Sequence, residues 1–194
     1  MKPVNKEQFL DKLENKVESH IQEAVRVFQN ADEQTLLRPA PNGGWSIAQC
    51  LDHLNSYGNY YLPYIQNGLN KNIGHVPVDT FQSTWLGTYF TRLMDPETGK
   101  KKQKAAKMHK PAPDLNAHAV VAEFIQQQET MLTYLKRARQ TDLNKIKIPV
   151  SILKWIKLNL GDVLQFIIAH NERHLLQAKR NLVNVTISTA TEEI

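Results

Sequence analysis

The sequence predicts an all-α fold, a four-helix bundle with a long irregular segment between its second and third helices. Three observations carry that prediction. Apolar residues recur at three- and four-residue steps in four separate stretches. Those stretches are bounded by capping residues or by proline and glycine. Residues 68–116, by contrast, have no sustained period and are rich in Gly, Pro and Lys. A chain of 194 residues with 41% hydrophobic content suits one domain, its core expected over about residues 5–182.

Leu10, Leu13, Val17, Ile21, Ala24 and Phe28 form the single apolar stripe of a first amphipathic helix. Pro39, Pro41 and Asn42-Gly43-Gly44 then break the chain. Ser46-Ile47-Ala48-Gln49 matches a capping box, in which Ser46 covers the Gln49 amide and Gln49 reaches back. Ile47, Cys50, Leu51, Leu54, Gly58, Tyr61 and Ile65 continue that second helix as its inner face. Pro63 predicts a kink or an early end near Tyr61. Trp45, just before the capping serine, suits a hydrophobic staple and could also wall a site.

Within the irregular segment, Trp85, Leu86, Tyr89, Phe90 and Leu93 predict a short helix whose aromatic residues cover the bundle. A third long helix is expected from about Asn116 to Arg139, with Val121, Phe124, Ile125, Gln128, Leu132 and Leu135 inward. Asn159 can cap the fourth, which runs to about Leu182, and Asp162 suits its positive first turn. Lys145-Ile146-Lys147-Ile148 alternates, but four residues are too few for a sheet, so no strand is expected. Trp155 is expected in packing or in a dimer contact.

At 100° per residue, Leu160, Val163, Leu164, Ile167, Ala178 and Leu182 define the buried face of the fourth helix. His174 projects into the middle of that face, while His170 and Gln177 lie at its edge. Asn171 points inward, and Glu172 and Arg173 outward. A pair of histidines four positions apart is compatible with two hydrogen-bonded core imidazoles as well as with a metal. His53 changes the weighing, because it stands at the edge of the second helix's apolar face with Gln49, Tyr57 and Tyr60. Three imidazoles facing one interior permit a divalent ion with an open coordination position, the pattern of a catalytic site. His20 is expected to flank the first stripe, and His75, His109 and His118 to serve surface or capping roles.

The other chemistry is sparse. Cys50 is the only cysteine and reads as a buried structural thiol, which excludes an intrachain disulfide. The formal charge of +5 is concentrated in six lysines from Lys100 to Lys110, the mark of a local loop. No nucleic-acid partner is therefore expected. No stretch approaches the roughly 18 apolar residues of a membrane span, and the N-terminus has no signal-like apolar run, so a cytoplasmic protein is expected.

Two elements of this chain resemble the DinB/YfiT-like superfamily, in its DinB-like branch. One is Arg38-Pro39-Ala40-Pro41-Asn42-Gly43-Gly44-Trp45-Ser46-Ile47-Ala48-Gln49 followed by Leu51-Asp52-His53-Leu54. The other is Gly161-Asp162-Val163-Leu164-Gln165-Phe166-Ile167 with His170-Asn171-Glu172-Arg173-His174-Leu175-Leu176-Gln177. The resemblance implies an up-down-down-up bundle and a metal held by His53, His170 and His174. Zinc, nickel, iron and manganese all suit it, and a homodimer is implied as well. It implies a metal-dependent enzyme acting on a small molecule, either an S-transferase that activates a low-molecular-weight thiol or a hydrolase that activates water. Gln49, Tyr57, Tyr60 and Gln177 are then expected around the metal ligands or at the substrate. The alternative is a non-catalytic, stress-related binding or dimerisation module with a structural metal.

Overall fold

The computed structural model describes residues 1–41, 43–72, 78–99 and 104–191, with side chains described through residue 182. Four long helices dominate it. Helix α1 (Lys6–Glu23) starts on an Asn5 cap and continues as a π-helical turn over Ala24–Phe28. After the short α2 (Glu33–Leu37), α3 (Ile47–Lys71) opens on the expected capping box, with Ser46 and Gln49 exchanging 3.1 Å hydrogen bonds. Helix α4 (Trp85–Met94) lies inside the irregular segment, followed by α5 (Ala117–Ala138) and α6 (Leu160–Thr191).

The cross-contacts define both neighbours and directions. Helix α1 packs on α5 and α6, and α3 packs on the same two. Asn55 bonds to the Val120 carbonyl, and further along Arg137 bonds to Asn70, so α3 and α5 run parallel. Lys16 pairs with Glu172 and Glu23 with Lys179, so α1 and α6 run parallel too. Arg139 at the end of α5 meets Glu7 and Asp11 at the start of α1, which makes that pair antiparallel. His53 faces His174 while Tyr61 faces Phe166, so α3 and α6 are antiparallel as well. The bundle is therefore up-down-down-up, as the resemblance implies. This topology explains the long connection. To enter α5 parallel to α3, the chain must travel back along a helix of 25 residues, about 37 Å at 1.5 Å per residue.

Four expectations change in whole or in part. Helix α3 does not end near Tyr61 but continues to Lys71. Pro63 is exposed, and the Asn59 carbonyl that loses its amide partner belongs to another exposed residue, where water can replace the bond. A β-hairpin does form: β3 (Lys147–Val150) pairs antiparallel with β4 (Leu153–Asn159). Its inward residues Ile148, Val150 and Leu158 are buried in the core, and that packing stabilises a pair too small to stand alone. A second minimal pairing joins β1 (Val4–Asn5) to β2 (Thr80–Phe81). Trp155 on β4 is 79% exposed, so it does not pack within the chain. Of the α4 aromatics only Phe90 covers the core, whereas Trp85 and Tyr89 face outward.

The start of α6 is also built differently. Asn159 Oδ1 accepts from Lys147 Nζ, while the Leu160 and Gly161 amides donate to the carbonyls of Ile146 and Leu143. Asp162 is fully buried and ties α4 to α6. Its carboxylate accepts from the Ser83 hydroxyl, from Thr84 N at 3.2 Å and from Thr84 Oγ1 at 2.8 Å. Thr84 Oγ1 in turn caps Gly87 N at 2.9 Å. Gly87 is required there, since a Cβ would sit 2.1 Å from Asp162 Cγ. Asp162→Ala removes the shared acceptor of three part-buried donors and leaves a cavity at a fully buried position, and is expected to cost about 3 kcal/mol. The expected drop in melting temperature is about 6–12 °C, read by thermal unfolding followed by circular dichroism. A change below about 2 °C would mean that Asp162 does not anchor α4.

Candidate metal centre

Helix α3 supplies His53, and α6 supplies His170 and His174 one turn apart. Because α3 and α6 are antiparallel neighbours, the three rings converge. The His53–His170 ring centroids are 5.0 Å apart, His53–His174 4.6 Å and His170–His174 4.8 Å, each pair edge-on. One ring nitrogen from each lies within 4.8 Å of the others. His53 Nε2 and His170 Nε2 are 3.2 Å apart. That separation matches the edge, about 3.3 Å, of a tetrahedron with Zn–N bonds of about 2.0–2.1 Å.

Outer contacts orient two of the three ligands. His53 Nδ1 lies 2.6 Å from the His109 carbonyl oxygen. A carbonyl only accepts, so Nδ1 carries the proton and Nε2 presents a lone pair toward the trio. His174 Nδ1 donates to Gln177 Oε1 at 3.0 Å, which turns its Nε2 into a lone-pair donor by the same logic. Imidazoles held this way, with the distal N–H on a carbonyl, are the usual form of histidine ligands.

Electrostatics favour the neutral ligand state. Burial, then the neighbouring His174, His53, His109 and Arg173, drives His170 far below the usual histidine range. His174 is pushed down to about 3 by burial and then by His53. His53 is lowered by burial, against the opposing His109 hydrogen bond and the Asp52 charge. Three neutral imidazoles clustered in the bundle interior, with the lone pairs of His53 and His174 turned toward the trio, fit a cation. Among the described residues His170 Nδ1 is buried without a hydrogen-bond partner, and the other nitrogen of that ring meets His53 Nε2.

The surroundings are aromatic. Tyr57 meets His170 edge-on at 4.4 Å and His53 at 5.1 Å, and burial pushes its hydroxyl up to about 12. Trp45 lies 4.9 Å from His53 and 5.9 Å from His174, forming a wall. Phe166 stacks beside His170 at 5.9 Å. His170 is buried and His174 half-buried, the reverse of the helix-phase expectation. The phase of one helix does not register the cover that Phe166, itself backed by Phe90, gives His170.

Of the other expected site residues, Tyr57 and Gln177 contact the trio as described. Gln49 Oε1 is held by the capping box, and its side chain lines a separate cavity of about 240 Å³ with Leu37, Ser46, Pro113, Asp114 and Leu115. Tyr60 packs its ring on Tyr61 and Tyr64. Cys50 is buried, its thiol pushed up to about 12 by burial, which leaves it unreactive. Arg173, expected in solvent, instead donates to the carbonyls of Leu93 and Gly99 and clamps the end of α4. His118 is exposed as expected, and His75 and Lys100–Lys102 lie outside the described residues.

Two histidines are placed differently from the sequence expectation. His20 is buried in the α1 stripe beside Gln128, whose Oε1 accepts from Asn171 Nδ2 at 3.0 Å. His109, expected at the surface, is buried over the site and stacks on Tyr57 at 3.8 Å. No local signal in the lysine-rich segment could have found it, because its contacts come from α3 and the hairpin.

Among the described residues no helix is long and apolar enough to cross a membrane. No curated protein matches the chain. Among solved structures the chain is similar to YfiT from Bacillus subtilis, described as a probable metal-dependent hydrolase with an unusual four-helix bundle topology. Identity is 16% and the TM-score 0.52, over 93% of this chain and 87% of YfiT, a likeness of fold. The family profile of the DinB superfamily matches residues 16–178, which takes in α3, α5 and all three converging histidines. The chain belongs to the DinB superfamily.

Proposed function

We propose that this protein is a metal-dependent enzyme whose His53, His170 and His174 hold one divalent ion. The observation that carries the reading is the convergence of three neutral imidazoles, with His53 and His174 turned inward by the His109 carbonyl and Gln177. A divalent ion held there supplies Lewis acidity, lowering the pKa of a thiol or a water that reaches its open position. Neutral ligands leave its 2+ charge uncompensated. Half-buried His174 marks the side of approach, and Trp45 forms the apolar wall beside it.

The chain's own residues favour thiol activation within this reading. A hydrolase acting on water benefits from a general base within hydrogen-bond reach. The nearby carboxylates are engaged elsewhere: Asp52 accepts from Ala112 N, Glu123 from Asn59 and Gln127, and Glu172 pairs with Lys16. Tyr57, with its hydroxyl pushed up to about 12, stays protonated at neutral pH and can donate but not abstract. A thiol starts near pKa 8.5, whereas water starts near 15.7, so a thiol needs far less help to lose its proton. Exposed Lys107 and Lys110 flank the His109 strap and suit a thiol that carries carboxylates. The description of YfiT favours hydrolysis as the second reading. Exposed Trp155 supports a homodimer.

The test is a screen of protein loaded with zinc, nickel, manganese or ferrous iron against several acidic low-molecular-weight thiols paired with electrophiles. Hydrolysable esters and amides form the second arm. Metal-dependent thiol consumption that disappears in His174→Ala is the expected result. Turnover confined to the second arm would replace S-transfer with hydrolysis. Silence in both arms from a metal-loaded protein would favour a binding or dimerisation module.

A further inference from the structure

His109 sits on a 3-10 turn (Lys107–His109) inside the connection between α3 and α5, yet is 1% exposed. Its ring is fixed at both nitrogens. Ser56 Oγ donates to the His53 carbonyl at 2.7 Å and so has only lone pairs left for His109 Nδ1, 3.0 Å away. His109 Nδ1 therefore carries the proton and donates to Ser56. Nε2 is then the acceptor, and Ser151 Oγ donates to it across 2.9 Å from the hairpin turn. Burial, then the neighbouring His53, pushes the ring's pKa down to about 4, consistent with this neutral form. One face of the ring stacks on Tyr57. A fourth anchor, Ala112 N on Asp52 Oδ2 at 3.0 Å, fastens the same strap three residues on.

All this machinery holds one backbone atom in place. The His109 carbonyl oxygen accepts the His53 Nδ1 proton at 2.6 Å; the other His53 contact, Nε2 to His170 Nε2 at 3.2 Å, joins two nitrogens that can each donate or accept, so the carbonyl is the partner that dictates the His53 tautomer. We propose that His109 is a positioning residue, whose ring, locked between Ser56, Ser151 and Tyr57, holds its own carbonyl against His53 and thereby sets the affinity for a divalent metal. The inference rests on the metal-site reading above and adds to it a residue that touches no metal. Its side chain acts on a ligand through its own main chain, so the strap's sequence tunes the site.

Two readouts test it. The first is the tautomer of His53 in the metal-free protein, read from imidazole ¹⁵N–¹H correlation spectra. The second is zinc affinity, from competition with a chromophoric chelator. His109→Asn keeps a donor at the Nδ1 position, and His109→Ala keeps none. In the wild type His53 is expected as the Nδ1–H tautomer, with zinc bound. His109→Ala is expected to mix the tautomers and weaken zinc about 10–100-fold, a usual loss for an outer-shell partner. His109→Asn is expected to recover much of both. Ser151→Ala, which alters neither the ring nor the strap sequence, is expected to weaken zinc to a smaller extent and serves if His109→Ala fails to fold. Unchanged tautomer and affinity in folded variants would overturn the role of His109 and leave the metal site standing. A wild type that shows the tautomer but binds no zinc, nickel or manganese would overturn the metal site and this proposal together.

Discussion

The double variant His53→Ala/His174→Ala is expected to lose its divalent ion while keeping its helices. Two of three ligands go, and His170 alone offers a single buried nitrogen to a metal. The wild type, purified without a histidine tag, is expected to hold close to one ion per chain by mass spectrometry. Adding metal at about 100 times its Kd stabilises a folded binder by about 2.7 kcal/mol. For a chain of this size that raises the melting temperature by about 5–10 °C. The variant is expected to show no metal-dependent rise, with an unchanged helical circular dichroism spectrum, because core contacts such as Leu54, Phe124 and Leu164 are untouched. If the wild type takes up no metal from zinc, nickel, manganese or ferrous iron, the trio is a polar core cluster and the enzyme reading falls.

Acidification is expected to destabilise the metal-free protein, beginning near pH 6.5. Five histidines have folded pKa values below the unfolded value: His20 and His109 down to about 4, His174 to about 3, with His53 and His170 also lowered. A depressed histidine contributes stability that is fully present above the unfolded pKa. As pH falls below 6.5 the unfolded chain takes up protons that the folded chain refuses, and the contribution declines until the folded pKa is reached. His20 isolates the effect, since it lies outside the trio and is depressed by burial first and by Lys16 second. Its shift from 6.5 to about 4 corresponds to about 3 kcal/mol, a large part of the 5–15 kcal/mol of a typical domain. His20→Gln is expected to flatten the fall in stability between pH 6 and 4.5 by about 1.4 kcal/mol per pH unit. Urea unfolding in chelator-treated buffer at a series of pH values measures it. Equal slopes for the two proteins would mean that His20 is already hydrated and titrates normally.

The same metal-site chemistry couples the two results. Imidazole ligands must be neutral, so protonation of the trio and metal binding compete. Burial resolves that competition in favour of the ligand state at neutral pH, which is why the exclusion of water around His170 matters as much as its position.

Much of this architecture is readable from local pattern. The stripes of α1, α3, α5 and α6 follow from a repeat of 3.6 residues, and the Ser46–Gln49 box marks its helix start without tertiary help. That same repeat places His170 and His174 on one side of one helix. Elements whose stability comes from elsewhere were not readable. The β3–β4 hairpin depends on burying Ile148 and Leu158 in the bundle, and Pro63 is tolerated because its side of α3 faces water. Arg173 and Asp162 are spoken for by α4, which the α6 sequence cannot reveal.

By itself, then, the sequence determined the four helices, their buried faces and the three histidines available to a shared interior, because these depend on spacing along one chain axis. Only the tertiary structure decided that α3 and α6 meet antiparallel with those rings edge to edge, and that His109 crosses over His53. Those outcomes depend on which helix lies beside which. The parallel pairing of α3 with α5 forces the connecting chain back along the bundle. On that return path His109 reaches Ser56, Tyr57 and Ser151, residues separated from it by about forty to fifty positions.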